Sequence, residues 1–294
     1  MSMTENNHIT IVLAGQGNAG KSSLFNNLTG LHQHIGNWSG KTIEKREGTL
    51  FYKGHTIDVL DLPGIYSLTT YSVEEVISRE YITHHHPDCV INVVDATNLE
   101  RSLIFTLQLL ELECPMVLAL NMSDLAKKRG IHIEYEKLQD LFNIPVVPTV
   151  ASRGYGLTNL IDEILKNRGR KASAKVYKFG KEIEDCIGQL TTLIRGNEYS
   201  YPARWIAIKL LEKDKDITRL AGDQQPEIMN RVKELCDHLE DIHGHDSSLV
   251  IADERSHLAY QITREIETIL AGKKTSLNDK LDAITMDKVS GYVV

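Results

Sequence analysis

The chain has 294 residues, of which 41% are hydrophobic and 25% are charged, and its formal net charge is −7. This composition is typical of a soluble globular protein with one large or two ordinary domains, and it does not favour a disordered chain. The acidic balance argues against nucleic acid as the main partner, because phosphate contacts require clustered Lys and Arg. No stretch reaches the roughly 18 apolar residues of a membrane-spanning helix. The four cysteines form no CxxC pair, which favours a reducing, cytosolic compartment.

Short apolar runs alternate with helical patterns through the first half of the chain, which predicts an α/β fold with a mostly parallel sheet. Six predicted strands are rich in Val, Ile or Leu and cover residues 9–14, 49–52, 56–61, 89–94, 116–121 and 146–150. The predicted helices begin at Lys21, near Val73, and at Leu99, Ile133 and Leu157.

The composition changes after Leu165, where the segment KNRGRKASAK is basic and weakly hydrophobic, as expected of an exposed linker. Beyond it, apolar residues recur at helical spacing in runs that begin at Ile183, Trp205, Ile228 and Ile251. We therefore predict a first domain over residues 1–170 and an all-α domain over residues 171–272. The sequence stops on the apolar residues of SGYVV, so we expect a longer protein.

The segment GQGNAGKS, residues 15–22, matches the phosphate-binding loop G-x-x-x-x-G-K-[ST], with a predicted strand before it and a helix after it. Its glycines allow successive backbone N–H groups to turn inward toward an anion. Lys21 is predicted to contact the outer phosphates, and the Ser22 hydroxyl to bind Mg²⁺. The alternative, an ordinary glycine-rich turn, does not explain the four fixed residues and both flanking elements.

The segment DLPG, residues 61–64, follows a predicted strand, which places the Asp61 carboxylate at the carboxyl edge of the sheet beside the phosphate loop. We expect Asp61 to hold Mg²⁺ through water and the Gly64 N–H to contact the γ-phosphate. DLPG alone is a turn in many proteins, and its position after a phosphate loop favours the nucleotide site.

The segment NMSD, residues 121–124, follows another predicted strand. Its spacing lets the Asp124 carboxylate accept both N–H groups of the guanine edge while Asn121 braces the loop and Met122 provides an apolar wall. Adenine lacks that pair of donors, so the motif selects GTP over ATP. We expect the loop at residues 150–152 to offer the Ala151 N–H to the guanine carbonyl oxygen.

The segment between the phosphate loop and the second predicted strand is where GTPases place their first switch. Thr42 is our choice for the second hydroxyl on Mg²⁺, on position alone, and Thr56 is rejected because it falls inside a strand. An exposed threonine with no ligand is the alternative.

Ile65 stands where many GTPases carry the glutamine that orients the attacking water. Intrinsic hydrolysis should therefore be slow, or should depend on a monovalent cation or a partner. The amide oxygen of Asn18 is a candidate ligand for such a cation. Equally, Asn18 can be present because it tolerates an unusual backbone angle.

Several segments together resemble the ferrous iron transport protein B family. They are GQGNAGKSSLFNNLTG, HIGNWSGKTIEKREG, DLPGIYSL, VVDATNLERSL, NMSD, YPARWIAIKLLEKD, IADERSHLAYQI and TSLNDKLDAITMDKVSG. The resemblance implies a P-loop GTPase domain of Ras-like fold, with a mixed, mostly parallel six-stranded sheet, followed by a helical domain that damps nucleotide release. It also implies activation by K⁺ through Asn18, with backbone carbonyls near Asn37 and Trp38.

The same resemblance implies that the chain is the cytosolic part of a multi-pass protein at the cytoplasmic face of the bacterial inner membrane. Residues 273–294 would then begin the connection to its own membrane permease region, which moves ferrous iron. Small cytosolic iron-transport accessory proteins and a homo-oligomer are left open as partners. The competing hypotheses are a free-standing GTPase in RNA or ribosome maturation and a nucleotide-binding scaffold without useful turnover.

The expected cofactors are GTP or GDP, Mg²⁺ and K⁺, and the predicted catalytic residues are Asn18, Lys21, Thr42 and Gly64. Ser22, Thr42 and Asp61 are predicted to bind Mg²⁺ and Asn18 to bind K⁺. The predicted binding residues are Gly15, Gln16, Gly17, Asn18, Ala19, Gly20, Lys21, Ser22, Ser23, Asn37, Trp38, Thr42, Asp61, Gly64, Asn121, Met122, Asp124, Val150, Ala151 and Ser152.

Overall fold

The computed structural model describes residues 7–30, 32–38, 40–68, 72–168, 175, 177–194 and 199–269. The strands in this part of the chain are β1 (His8–Gly15), β2 (Gln33–Asn37), β3 (Glu44–Tyr52), β4 (His55–Asp61), β5 (Cys89–Asp95), β6 (Met116–Asn121), β7 (Ile131–Ile133), β8 (Val146–Pro148) and β9 (Glu267–Ile269). The α-helices are α1 (Lys21–Thr29), α2 (Val73–His85), α3 (Leu99–Glu111), α4 (Ser123–Lys128), α5 (Tyr135–Phe142), α6 (Leu157–Asn167), α7 (Lys181–Ile194), α8 (Ala203–Leu211), α9 (Lys215–Gln224), α10 (Met229–His243) and α11 (Ser247–Ile266).

The main sheet has seven strands in the order β2-β3-β4-β1-β5-β6-β8. Strands β4, β1, β5, β6 and β8 run parallel, whereas β2 and β3 pair antiparallel. The mostly parallel α/β fold is confirmed, and all six predicted strands belong to this sheet. The seventh, β2, was missed because QHIGN is half-buried or exposed along its length and carries no apolar pattern. Backbone pairing with β3 holds it at the edge.

Helices cover both faces of the sheet. Alternate residues of β1 contact the helices on opposite faces. Ile11 and Leu13 pack with the buried residues of α1 and α6, whereas Val12 packs with those of α3 and α5. Successive residues of a strand point to opposite faces. A central strand buried on both sides is therefore apolar throughout, as the sequence pattern of this strand indicated.

The helices after residue 177 pack on one side of this sheet instead of forming a separate core. Trp205 of α8 is fully buried. It belongs to one cluster of buried apolar residues that also includes residues of α11 and α3. The predicted boundary between residues 170 and 171 falls in 169–174, outside the described residues, as does the segment 273–294. In the part of the chain that the structure describes, no helix is both long and apolar enough to cross a membrane.

A small second sheet joins the two halves of the chain. Strand β7 pairs antiparallel with β9, so that Ile131 stands opposite Ile269. The predicted helix start at Ile133 is therefore wrong: this residue ends β7, and α5 begins at Tyr135. The second region is helical, as predicted, apart from the three residues of β9. Neither short strand was predicted, because neither has a local partner to reveal it.

Buried charged groups lie where the helical region meets the first domain. Arg255 of α11 binds Glu111 of α3, with Nε–Oε1 at 3.0 Å, and Glu212, with Nη1–Oε1 at 2.7 Å. Arg79 of α2 binds Asp214, which precedes α9. Such pairs make separation of the two regions costly, because it would leave each buried charge without its partner.

Candidate functional site

The predicted phosphate loop connects β1 to α1 at the carboxyl edge of the sheet. Gly20 precedes the helix with φ +87°, and a Cβ on this residue would collide with the side-chain amide of Asn121. Both the backbone conformation and the space therefore require glycine. The loop ends at the N-terminus of α1, where unpaired N–H groups favour an anion. Ser22, in the first turn, is exposed.

Lys21 and Asp61 form a buried ion pair between α1 and the end of β4. The Lys21 ammonium also donates to the carbonyl oxygen of Leu62. Strand β4 lies beside β1 with Leu13 opposite Asp61, which puts this carboxylate next to the phosphate loop, as predicted. Burial raises the pKa of the Asp61 carboxyl, and the Lys21 charge opposes that rise.

The Gly64 backbone lies directly against the phosphate loop. A Cβ on Gly64 would stand 3.4 Å from Gly17 Cα, and the Ile65 N–H donates to the Gly15 carbonyl oxygen at 3.3 Å. The Ile65 side chain points the other way and is only 3% exposed within the core. Ile65, which stands where other GTPases have the catalytic glutamine, therefore packs in the core. Its side chain does not face the phosphate loop.

Asn121 holds three loops together at the end of β6. Its Nδ2 donates to the Ala19 carbonyl oxygen at 2.8 Å. Its Oδ1 accepts from the Ala151 N–H at 2.8 Å and from the Thr149 hydroxyl at 3.3 Å. The structure thus has Asn121 in the bracing position that the motif predicts. The Ala151 N–H is engaged by Asn121 in this structure, and its contact with the guanine carbonyl oxygen stays a prediction.

Met122 and Asp124 follow Asn121 at the start of α4. Met122 adopts the left-handed conformation with φ +60°, and its Cε lies 3.8 Å from the position of a Cβ on Gly20. The Asp124 carboxylate is partly exposed, and its Oδ2 lies 3.7 Å from Nη1 of Arg153. An apolar methyl group therefore lies beside the phosphate loop, and a partly exposed carboxylate follows it two residues later, which are the groups that the guanine prediction uses.

The predicted first switch is an antiparallel hairpin formed by β2 and β3. Arg46 stands opposite Asp61, so Thr42, which lies before β3, is at the exposed hairpin tip beyond the strand ends. Trp38 packs edge-on against Tyr81 of α2 with ring centroids 5.7 Å apart, and its carbonyl oxygen accepts from the Lys41 N–H. Thr42 is thus exposed, and the roles of Thr42, Asn37 and Trp38 at the nucleotide stay predictions.

Asn18 is exposed in the phosphate loop and has φ +67°. The unusual backbone angle anticipated from the sequence is therefore present. The exposed amide is equally free to act as a ligand, so the geometry is compatible with both interpretations of this residue.

Three further side chains beside the loop were missed by sequence reasoning or left without a role. Gln16 Nε2 donates to the Arg101 carbonyl oxygen at 2.9 Å, which fixes the first turn of α3 to the loop. The Arg101 guanidinium lies 4.9 Å from the centre of the Tyr66 ring. The Tyr66 hydroxyl is 3.0 Å from the position of a Cβ on Gly17. No pattern in the local sequence sets the direction of the Tyr66 side chain, since residues 62–66 form no strand or helix.

The order of the phosphate loop, the Asp61 loop and the Asn121 loop along one edge of a mostly parallel sheet is that of the P-loop GTPases. The family model described as ferrous iron transport protein B matches residues 9–164. A second model, described as the FeoB cytosolic helical domain, matches residues 179–289. The chain belongs to the ferrous iron transport protein B family, as its motifs indicated.

Curated relatives agree with this assignment. The chain is 38% identical over 297 residues to an Fe(2+) transport protein A/Fe(2+) transporter FeoB fusion protein of Porphyromonas gingivalis, covering 97% of this chain and 35% of the relative. It is 34% identical over 290 residues to the Fe(2+) transporter FeoB of Escherichia coli, covering 97% and 37%. The chain thus spans little more than a third of these relatives.

Solved structures are similar to this chain over most of its length. A mutant of S. thermophilus NFeoB bound to GDP has a TM-score of 0.82 at 31% identity, covering 88% of this chain and 100% of that one. The cytosolic domain of the T. maritima FeoB iron transporter in its GMPPNP form has a TM-score of 0.79 at 33% identity, covering 88% and 99%.

Proposed function

We propose that this chain binds GTP and GDP and hydrolyses GTP, and that nucleotide binding regulates ferrous iron uptake by an attached membrane transporter. The observation that carries the proposal is the bonding of Asn121 to Ala19, Thr149 and Ala151. This one amide fixes a phosphate loop and a base-recognition loop relative to each other. Structures similar to this chain are bound to GDP or are in a GMPPNP form.

The phosphates would lie in the loop 15–20, against its N–H groups and those at the start of α1. Lys21 would contact the outer phosphates, which requires its ammonium to be shared with or released from Asp61. The hydroxyl of Ser22 and the carboxylate of Asp61 are hard oxygen donors that suit Mg²⁺. When bound, Mg²⁺ neutralises the charge that develops on the phosphates. The second hydroxyl would come from Thr42, which is exposed at the hairpin tip.

The guanine would lie between Met122 and the loop 150–152, with its two N–H donors on Asp124. Asp124 is accessible and is not buried in a strong ion pair, since its nearest cation, Arg153, is 3.7 Å away and largely exposed. A carboxylate accepts from both guanine donors, whereas adenine offers no such pair. The site therefore favours GTP over ATP.

Hydrolysis would be slow, because the buried Ile65 cannot orient water and no other side chain replaces it by sequence position. K⁺ would accelerate it through the exposed amide oxygen of Asn18. Backbone carbonyls near Asn37 and Trp38 would complete the cation site; the Trp38 oxygen accepts from the Lys41 N–H and keeps a second lone pair. The exposed amide of Asn18 is the observation that supports the cation proposal.

The membrane assignment rests on the relatives, which are named as Fe(2+) transporters and are nearly three times as long as this chain. By analogy, the chain would lie at the cytoplasmic face of the bacterial inner membrane and act on its own permease region. The helical region would damp nucleotide release, since α11 packs directly on α3 and Arg79 ties α2 to the helical region.

The test is to titrate the chain with fluorescent GTP, GDP and ATP analogues and to measure phosphate release in KCl and in NaCl. We expect guanine nucleotides to bind and ATP not to, with faster hydrolysis in K⁺. Asn18→Ala should abolish the difference between the salts, whereas Asn26→Ala, which changes an exposed amide on α1, should not. Equal and negligible rates in both salts would remove the cation proposal, and absence of guanine selectivity would remove the GTPase proposal.

A further inference from the structure

Tyr66 places a hydroxyl group over the middle of the phosphate loop. Its Oη lies 3.0 Å, and its Cζ 3.6 Å, from the position that a Cβ on Gly17 would occupy. Gly64 approaches the same residue, with 3.5 Å between its Cβ position and Gly17 N. The side chain of Tyr66 thus covers the part of the loop that faces Gly64, whose N–H we assign to the terminal phosphate.

The ring of Tyr66 is held by a cation from another element. The Arg101 guanidinium lies 4.9 Å from the ring centre, and the Arg101 carbonyl oxygen accepts from Gln16. In the described part of the chain, no carboxylate forms an ion pair with Arg101. The cation is therefore available to hold the face of the Tyr66 ring.

We propose that the Tyr66 hydroxyl donates a hydrogen bond to the terminal phosphate of GTP, and that Arg101 is the positioning residue that holds the ring in place. The inference rests on the proposed nucleotide function and adds a side chain that distinguishes GTP from GDP. Ile65 is turned into the core, so Tyr66 is the residue of this segment that presents a polar group to the loop. A phenolic hydroxyl donates well to a phosphate oxygen.

The test compares the affinities of a non-hydrolysable GTP analogue and of GDP in matched variants. Tyr66→Phe removes the hydroxyl and keeps the ring, and should weaken binding of the GTP analogue about tenfold while changing GDP binding less than about twofold. Tyr260→Phe is the control, because Tyr260 is 47% exposed, close to the 49% of Tyr66, and lies on α11.

Arg101→Gln should lower the ratio of the affinity for the GTP analogue to the affinity for GDP. Arg101→Lys should restore most of this ratio, because it returns the cation. In Tyr66→Phe the further change Arg101→Gln should have little effect, because the two residues act through one hydroxyl. Arg219→Gln, which alters a highly exposed arginine on α9, is the control for loss of charge.

An unchanged ratio of GTP-analogue to GDP affinity in Tyr66→Phe, with tight binding of both, would overturn the role of Tyr66 and leave the GTPase proposal intact. An equal loss of both affinities would also overturn it, since it would indicate a general contact. If the unmodified chain binds no guanine nucleotide, the proposed function itself fails.

Discussion

Arg79 of α2 and Asp214, the residue before α9, form an ion pair across the junction of the two regions, with Nη1–Oδ2 at 3.3 Å and side chains only 2% and 1% exposed. The other oxygen of Asp214 caps α9 by accepting from the Asp216 and Ile217 N–H groups. Helix α2 begins shortly after the Gly64 loop. The helix that follows Tyr66 along the chain is thus tied to the helical region by a buried ion pair.

Arg79→Ala should lower the free energy of unfolding by about 3–5 kcal/mol, because it leaves the buried Asp214 carboxylate without its cation. Arg219→Ala is the control: Arg219 pairs with Asp216 but is 76% exposed, and its loss should cost under about 1 kcal/mol. Urea unfolding followed by circular dichroism measures both. Similar small losses in the two variants would mean that water reaches Asp214.

Asp124→Asn should weaken GDP binding about a hundredfold or more, because the amide places a donor against the guanine donors. Asp140→Asn, an exposed change on α5, should leave the affinity unaltered. Isothermal titration with GDP gives both values. Wild-type affinity in Asp124→Asn would show that the base is recognised elsewhere.

Ile65→Gln should not restore the catalytic glutamine of other GTPases. The side chain enters the core, so the variant should lose about 1–3 kcal/mol of stability by burying an unpaired amide. Ile65→Leu keeps the volume and should cost less than about 1.5 kcal/mol. Phosphate release and thermal unfolding are measured together. Faster hydrolysis by Ile65→Gln at unchanged stability would contradict the buried placement.

Acid should destabilise the chain partly through Glu212. Burial alone would raise its pKa, but Lys209 Nζ at 2.6 Å and Arg255 Nη1 at 2.7 Å hold that pKa at about 2, below the ordinary 4.5. A carboxyl with a lowered pKa in the folded state stabilises it fully above pH 4.5, and this contribution is lost as the pH falls toward 2.

The stability difference between the unmodified chain and Glu212→Gln should therefore be on the order of a few kcal/mol at pH 7 and should shrink at pH 3. Glu234→Gln changes an exposed carboxylate on α10 and should show a small difference at either pH. Urea titrations at the two pH values provide the comparison. A Glu212→Gln difference that stays constant with pH would contradict the assigned coupling.

The core of the site follows from the sequence because each motif comes directly after a buried strand. Parallel strands end at one edge of a sheet, so Lys21, Asp61 and Asn121 had to meet there. These strands were recognisable from their continuous apolar runs. Spacing along the chain was therefore enough to predict that the three residues would be neighbours.

Other features depend on contacts that the local sequence does not contain. The direction of the Ala151 N–H is set by its bond to Asn121, and the pairing of β2 depends on backbone groups instead of an apolar pattern. The chain position of Thr42 predicted that its segment lies near the site. It did not predict that the segment forms a hairpin in which β2 pairs antiparallel with β3. Tyr66 acquires its place only because Ile65 packs inward.

The pairing of β7 with β9 has a consequence for synthesis of the chain. Strand β7 lies between α4 and α5, yet its partner is made only after α11 is complete. A nascent chain that has folded its nucleotide-binding half would still carry an unpaired strand edge until residue 269 leaves the ribosome. Closure of this small sheet should then be a late event in folding, and ribosome-stalled chains ending before and after β9 should differ in protease resistance near Ile131.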